Sequence, residues 1–165
     1  MTPMIRSMND SDAQVVLEIY QNGLDSRNAT FETTVPLWKD WDRSHHKFGR
    51  FVYLVSESVV GWVALSPVST RSCYSGVAEI SIYVAPEFVG QGIGHALMAH
   101  LIQDSENNGI WTLYASIFPE NQATLQLHLK HGFREVGIRE RVAKLNGKWR
   151  NTLILERRSK VVGND

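Results

Sequence analysis

The sequence predicts a mixed α+β fold around a mostly antiparallel central sheet flanked by about four helices, and three observations carry that prediction. Short apolar or alternating runs such as FVYLVSE and VAEISIYVAP read as strands, while segments such as IGHALMAHLI, with apolar residues three and four apart, read as helices. Their order is strand, two helices, three strands, helix, strand, helix, two strands, so one strand-helix-strand crossover interrupts turn-linked strands. The chain has 165 residues, 43% hydrophobic and 10% aromatic, enough to fill one core, and a single domain over residues 1–165 is expected.

Met4 to Met8 reads as the first strand. Asn9, Asp10 and Ser11 are N-cap residues ahead of a helix whose apolar positions are Val15, Val16, Ile19, Tyr20 and Leu24, with Asn22 and Gly23 weakening its last turn. SRNATFETTVP has no sustained period and is expected to be an ordered loop. Pro36 suits the first turn of a helix carrying Leu37, Trp38 and Trp41 on one face to about Lys47, where Phe48 and Gly49 end it. FVYLVSE and VVGWVALSPV form a hairpin. In VAEISIYVAP, Ile80, Ile82 and Val84 alternate with Glu79, Ser81 and Tyr83 until Pro86 closes the strand. Gly92 to Asn108 is a helix with the stripe Ile93, Leu97, Met98, Leu101 and Ile102. WTLYASIF is a strand. Asn121 opens a helix running through Leu125, Leu127 and Leu129 to Gly132, and two strands turning at Gly147 complete the order.

Composition excludes several functions. Lys plus Arg and Asp plus Glu both number 17, a net charge of zero, so no global field gathers nucleic acid or anionic membrane, and neither is an expected partner. Cys73 is the only cysteine, which rules out an internal disulfide framework and a multi-thiolate zinc site and suits a reducing compartment, the cytoplasm. MTPMIRSMNDSD has no apolar core of a signal peptide, so a soluble, unexported protein is expected. There is no G-x-S-x-G elbow or H-E-x-x-H zinc pair, and the adjacent His45 and His46 point in different directions at a solvated helix end.

The most informative segment is IYVAPEFVGQGIGHALM: a strand, a loop with Gly90, Gly92 and Gly94, then a helix. Glycines reach positive φ, so N–H groups converge at the positive end of a helix and hold phosphate without many basic side chains. The glycine spacing matches neither the dinucleotide fingerprint nor a P-loop. On glycine content alone, a flexible connection is the other reading.

VGQGIGHAL, with AEISIYVAP before it and FPENQATLQLHLKHGF after it, resembles the GCN5-related N-acetyltransferase superfamily. ATFE, an Arg-x-x-Tyr followed by Glu, and the NGKW turn are similar, more narrowly, to its phosphinothricin and methionine sulfoximine N-acetyltransferase branch. The resemblance implies acetyl-CoA as acetyl donor, bound in a splayed strand pair. The backbone of Ile82, Tyr83 and Val84 would pair with the pantetheine arm, the amides of Gly90, Gln91, Gly92, Ile93, Gly94 and His95 would hold the pyrophosphate, and Asn121 would anchor the cofactor. Val89 stands where the family usually has Gln or Arg, and Asn151 where relatives often carry Asp. Dimers are frequent in the family, and a homodimer is expected.

Amine acetylation needs a neutral amine, a stabilised oxyanion and a proton for the departing thiolate. The resemblance makes Glu79 the base, against a reading as a solvated strand Glu, and puts backbone N–H near Val84 at the oxyanion. His128 is either an acid, a cofactor contact or a surface His. Phe31, Glu32, Arg71, Tyr74 and Glu79 match the branch's substrate positions, with Arg71 suited to a carboxylate, so a small amino-acid-like acceptor is expected. Phe31 as core, Glu32 as solvated and Arg71 as a loop charge remain open at this point, and core packing competes with a turn role for Trp149. Cys73 reads as neutral packing or loop filler. Two other functions compete: an acyl-CoA sensor without turnover, which need not keep Glu79 and Arg71, and a protein or peptide N-acetyltransferase, which would want an open groove.

Overall fold

The computed structural model describes residues 4–165. Seven strands form one sheet: β1 (Met4–Ser7), β2 (Phe51–Val55), β3 (Ser58–Pro67), β4 (Val77–Val84), β5 (Thr112–Ile117), β6 (Arg134–Leu145) and β7 (Lys148–Arg158), in the order β1-β2-β3-β4-β5-β7-β6. Four helices flank it: α1 (Ala13–Asp25), α2 (Trp38–Ser44), α3 (Ile93–Asn107) and α4 (Gln122–Lys130). Every ladder is antiparallel except β4–β5, which the α3 crossover makes parallel, as the element order requires.

The period-two alternation of β4 divides the core. Ala78 and Ile80 face α3 and pack with Leu97, Met98 and Leu101, the stripe read from the sequence. On the other face Tyr83 packs against a second cluster of Val16, Ile19, Trp41 and Trp62 under α1 and α2. Asn9 begins the first helical turn with a capping box, and Asp12 inside that turn is buried against Arg6 by two bonds of 2.8 Å.

Several local expectations are corrected. Gly23 falls in the last turn of α1, which ends at Asp25, but its role is also tertiary: a Cβ there would lie 2.4 Å from Cε1 of Tyr83, so the glycine admits that ring. The second helix stops at Ser44, short of Lys47. His45 turns extended because its ring stacks on Trp41 at 3.9 Å and its Nδ1 meets the Trp41 carbonyl at 2.6 Å, while Arg50 binds the carbonyls of Asp42, His45 and His46. His45 and His46 are therefore half-buried instead of solvated. Leu37 lies outside the packed face at 66% exposure. In α4 the inward residues are Leu125 and His128, three apart, and Leu129 turns outward. Cys73 and Trp149 are exposed, so neither packs the core; Trp149 lies under Lys144 and Arg141.

Candidate active site

β4 and β5 pair only at Val77–Thr112, Ala78–Leu113 and Glu79–Tyr114, and beyond Glu79 the strands part. β4 remains paired with β3 to Val84. The bond from Ala85 N–H to Val60 C=O (2.8 Å) makes Val84–Gly61 a non-hydrogen-bonded antiparallel pair, so by alternation the N–H and C=O of Val84 and Ile82 turn away from β3, toward the fork. Tyr83 differs: its backbone faces Trp62 across the β3 ladder and its side chain reaches α1.

The fork opens into a cleft of about 910 Å³ whose wall includes Glu79, Ile82, Tyr83, Val84, Gly90, Gly92, Ile93, Gly94, His95, Asn121 and His128, together with Phe31 and Glu32. Gly90 and Gly92 have φ of +83° and +82°, and a Cβ on either would meet nothing within 4 Å. The glycines are thus required by conformation, and the space above them is open. Gly92 is the N-cap of α3 with no side-chain cap, and the first intrahelical bond runs from Ala96 N–H to its carbonyl. The N–H groups of Ile93, Gly94 and His95 therefore have no helical partner. A free strand edge beside three uncapped amides suits a ligand that combines secondary amides with phosphates, and the residues present fit coenzyme A.

Glu79 is half-buried, and burial pushes its carboxyl above the usual carboxylate range. His128 is 2% exposed. Its Nδ1 lies 2.6 Å from the Thr124 carbonyl, which can only accept, so Nδ1 carries the hydrogen and Nε2 the lone pair. Burial holds its pKa below the ordinary value, leaving the ring neutral.

Asn121 is committed within the chain: its Oδ1 caps Thr124 N–H at 3.2 Å and its Nδ2 donates to the Asn28 carbonyl at 3.1 Å. Arg150 secures the same loop through the Arg27 carbonyl (3.0 Å) and lies 3.9 Å from the centre of the Phe118 ring. Phe31 meets Phe118 edge to face at 4.9 Å. Gln91 lies outside the wall, with its side chain bonded to the Glu87 carbonyl. Arg71 and Tyr74 also lie outside it, the guanidinium resting over the Tyr74 ring at 5.4 Å.

The sequence reading missed part of the wall. Tyr20, which meets the already named Tyr83 edge to face at 5.0 Å, was not foreseen there, and burial raises both phenol pKa values. Tyr20 shares the spacing of the α1 core stripe, which concealed it. Ser81 could have been found, because it lies between Glu79 and Tyr83 on one face of β4.

A sheet forked beside an uncapped, glycine-entered helix defines a coenzyme A-dependent acyltransferase. Residues 15–133 match the acetyltransferase (GNAT) family, and the chain belongs to that family. It is an N-acetyltransferase that uses acetyl-CoA. The phosphinothricin N-acetyltransferase of Streptomyces coelicolor is 28% identical over 161 residues, covering 93% of this chain and 94% of the relative. The L-methionine sulfoximine/L-methionine sulfone acetyltransferase of Pseudomonas aeruginosa is 26% identical over 155 residues, 90% of each chain. The crystal structure of a GNAT superfamily phosphinothricin acetyltransferase from Sinorhizobium meliloti in complex with acetyl-CoA superposes with a TM-score of 0.86 at 25% identity, covering 100% of this chain and 97% of that one. Among the described residues no helix is long and apolar enough to cross a membrane.

Proposed function

We propose that this N-acetyltransferase acetylates the amino group of a small amino acid or analogue, of the phosphinothricin, methionine sulfoximine or methionine sulfone type, by direct transfer. The observation that carries the reading is Glu79, a carboxylate with a raised pKa at the mouth of the fork, in the same cleft as the glycine loop. The names of the Streptomyces and Pseudomonas relatives support the acceptor class.

The exposed strand edge at Ile82 and Val84 holds the pantetheine amides, and the uncapped amides of Ile93, Gly94 and His95, with the loop from Gly90, hold the pyrophosphate. When bound, acetyl-CoA supplies an acetyl thioester. Glu79 takes the proton of the acceptor ammonium, directly or through a water, and its raised pKa brings it closer to that task at neutral pH. Val84 N–H, turned into the fork, donates to the carbonyl oxygen as negative charge gathers there. His128 lines the cleft with its hydrogen spent on Thr124, so its neutral Nε2 accepts from an N–H of the cofactor's arm; the departing thiolate takes the second proton that the acceptor nitrogen sheds as the amide forms.

Phe31, backed by Phe118, forms the apolar side of the acceptor site, with Glu32 beside it. Arg71 and Tyr74, on the turn that leads into β4 and Glu79, are assigned to the acceptor carboxylate and its aromatic wall on the branch resemblance alone. Asn121 serves the cofactor indirectly, by starting α4 and tying down residue 28. We further propose that the chain acts as one domain over 1–165, in the cytoplasm, and as a homodimer. Support for the dimer is the exposed apolar set Val136, Ile138, Val142 and Trp149 on the β6–β7 hairpin.

The test is thiol release from acetyl-CoA with phosphinothricin, methionine sulfoximine and methionine sulfone. Turnover of at least one is expected. No turnover by a protein that still binds acetyl-CoA would overturn the acceptor class.

A further inference from the structure

Resting on the cofactor placement proposed above, we propose that His95 and His131 form a pair that takes up a proton when the cofactor's pyrophosphate docks, and so supplies the cationic charge that the cleft wall lacks. Among the described residues no Lys or Arg lines the cleft; apart from tyrosines its ionisable groups are Glu32, Glu79, His95 and His128. Val89, at the head of the glycine loop, offers no charge. Three first-turn amides carry only partial charges, and a pyrophosphate brings two full negative ones.

His95 is the third residue of α3, and its Nδ1 lies 3.0 Å from Nε2 of His131, the residue after α4. Two neutral imidazoles at that distance share one hydrogen, one nitrogen donating and the other accepting. Adding a proton converts this contact into a charge-assisted bond and leaves a delocalised positive charge beside the amides of residues 93–95.

The surroundings disfavour a proton on His131 until the anion arrives. From β7, Arg157 donates Nε–H to the His131 carbonyl at 3.2 Å, and its Nη1 is paired at 3.0 Å with Glu106 of α3, which offsets much of its charge. His131 in turn acts on His128 in the preceding turn of α4, and Arg134, the next charge along the chain, is paired with Glu156. Burial first, then His95 and Arg157, hold His131 below the ordinary histidine range. Docked pyrophosphate opposes these effects and favours the protonated pair; the proton comes from solvent, and no bond forms other than N–H. Linkage fixes the sign: the complex holds more protons than the free protein, so affinity is highest at low pH and weakens as pH rises.

The test is calorimetric titration near pH 7 in two buffers of different ionisation enthalpy, with acetyl-CoA and with acetyl-dephospho-CoA. The latter keeps the pyrophosphate and lacks the 3′-phosphate that itself titrates in this range. Uptake of part of a proton is expected with both, and the Kd is expected to rise about fivefold from pH 6 to pH 8, the scale of a partly exposed ion pair. His95→Gln and His131→Gln, checked for folding by circular dichroism, should bind without uptake, and His95→Lys should bind with little pH dependence. Binding without uptake, uptake with acetyl-CoA alone, or undiminished uptake in His95→Gln would each overturn the proposal. Failure of the underlying reading shows separately: Gly92→Asp would then leave acetyl-CoA affinity unchanged.

Discussion

Glu79 is the last residue of β4 to pair with β5, opposite Tyr114, and the strands separate at the next position. One carboxylate thus sits where the sheet stops satisfying its own backbone and begins to offer it to a ligand. Holding that carboxylate partly out of water has a cost, because burial disfavours its charged form.

Glu79→Gln is therefore expected to stabilise the fold at neutral pH. A carboxyl whose folded pKa exceeds its unfolded value adds stability below the unfolded value, and that contribution is lost as pH rises through the folded pKa. The variant escapes the loss, so its Tm should exceed wild type by roughly 2–4 °C at pH 7. The two melting curves should coincide near pH 4. Scanning calorimetry at both pH values checks the difference.

Gly23→Ala places a Cβ 2.4 Å from the Tyr83 ring. Repacking a tight aromatic contact costs about 1–3 kcal/mol, and the displaced ring belongs to the cleft wall. Denaturant titration should show the loss, and Tyr83→Ala in the same chain should recover part of it, giving a non-additive cycle.

Asp12 joins Arg6 by two bonds and accepts from Asn9 N–H at 2.9 Å, and the Arg6 hydrogen bonds hold its carboxyl below the usual range. A lowered folded pKa means stability present above the unfolded value and lost as pH falls through the folded one. Asp12→Ala should cost about 2–4 kcal/mol at pH 7, and the gap from wild type should narrow below about pH 4. Urea midpoints across pH 3–7 measure it.

The dimer proposal is tested by Ile138→Lys on the β6–β7 hairpin. Sedimentation should show wild type as a dimer and the variant as a folded monomer with an unchanged circular dichroism spectrum. A wild-type monomer at micromolar concentration would remove the proposal.

Local patterns carried most of the fold into the sequence. The α3 stripe appeared through its 3.6-residue period, β4 through its alternation, and the turn that enters α3 through Gly90 and Gly92, whose positive φ only glycine adopts easily. What escaped depends on contacts distant in sequence. Gly23 looks only like a weak point in the last turn of α1 until Tyr83, sixty positions on, lies against it. His45 ends α2 through its ring on Trp41, with Arg50 collecting the carbonyls of that turn. His95 and His131 are 36 residues apart, and nothing local announces their contact. For the site, the motif located Glu79 and the glycine loop, but no sequence pattern could report that Arg71 rests on Tyr74, outside the cleft.

The central claim, that Glu79 is the base for acetyl transfer, is tested most directly by the pH dependence of kcat/KM for wild type and Glu79→Gln with the best acceptor, alongside acetyl-CoA affinity. Expected are a wild-type acidic limb above the ordinary Glu range, a loss of about 10²- to 10⁴-fold in the variant with that limb abolished, and a Kd for acetyl-CoA within about twofold of wild type. A variant that keeps the limb, or loses rate and cofactor affinity together, would contradict that claim.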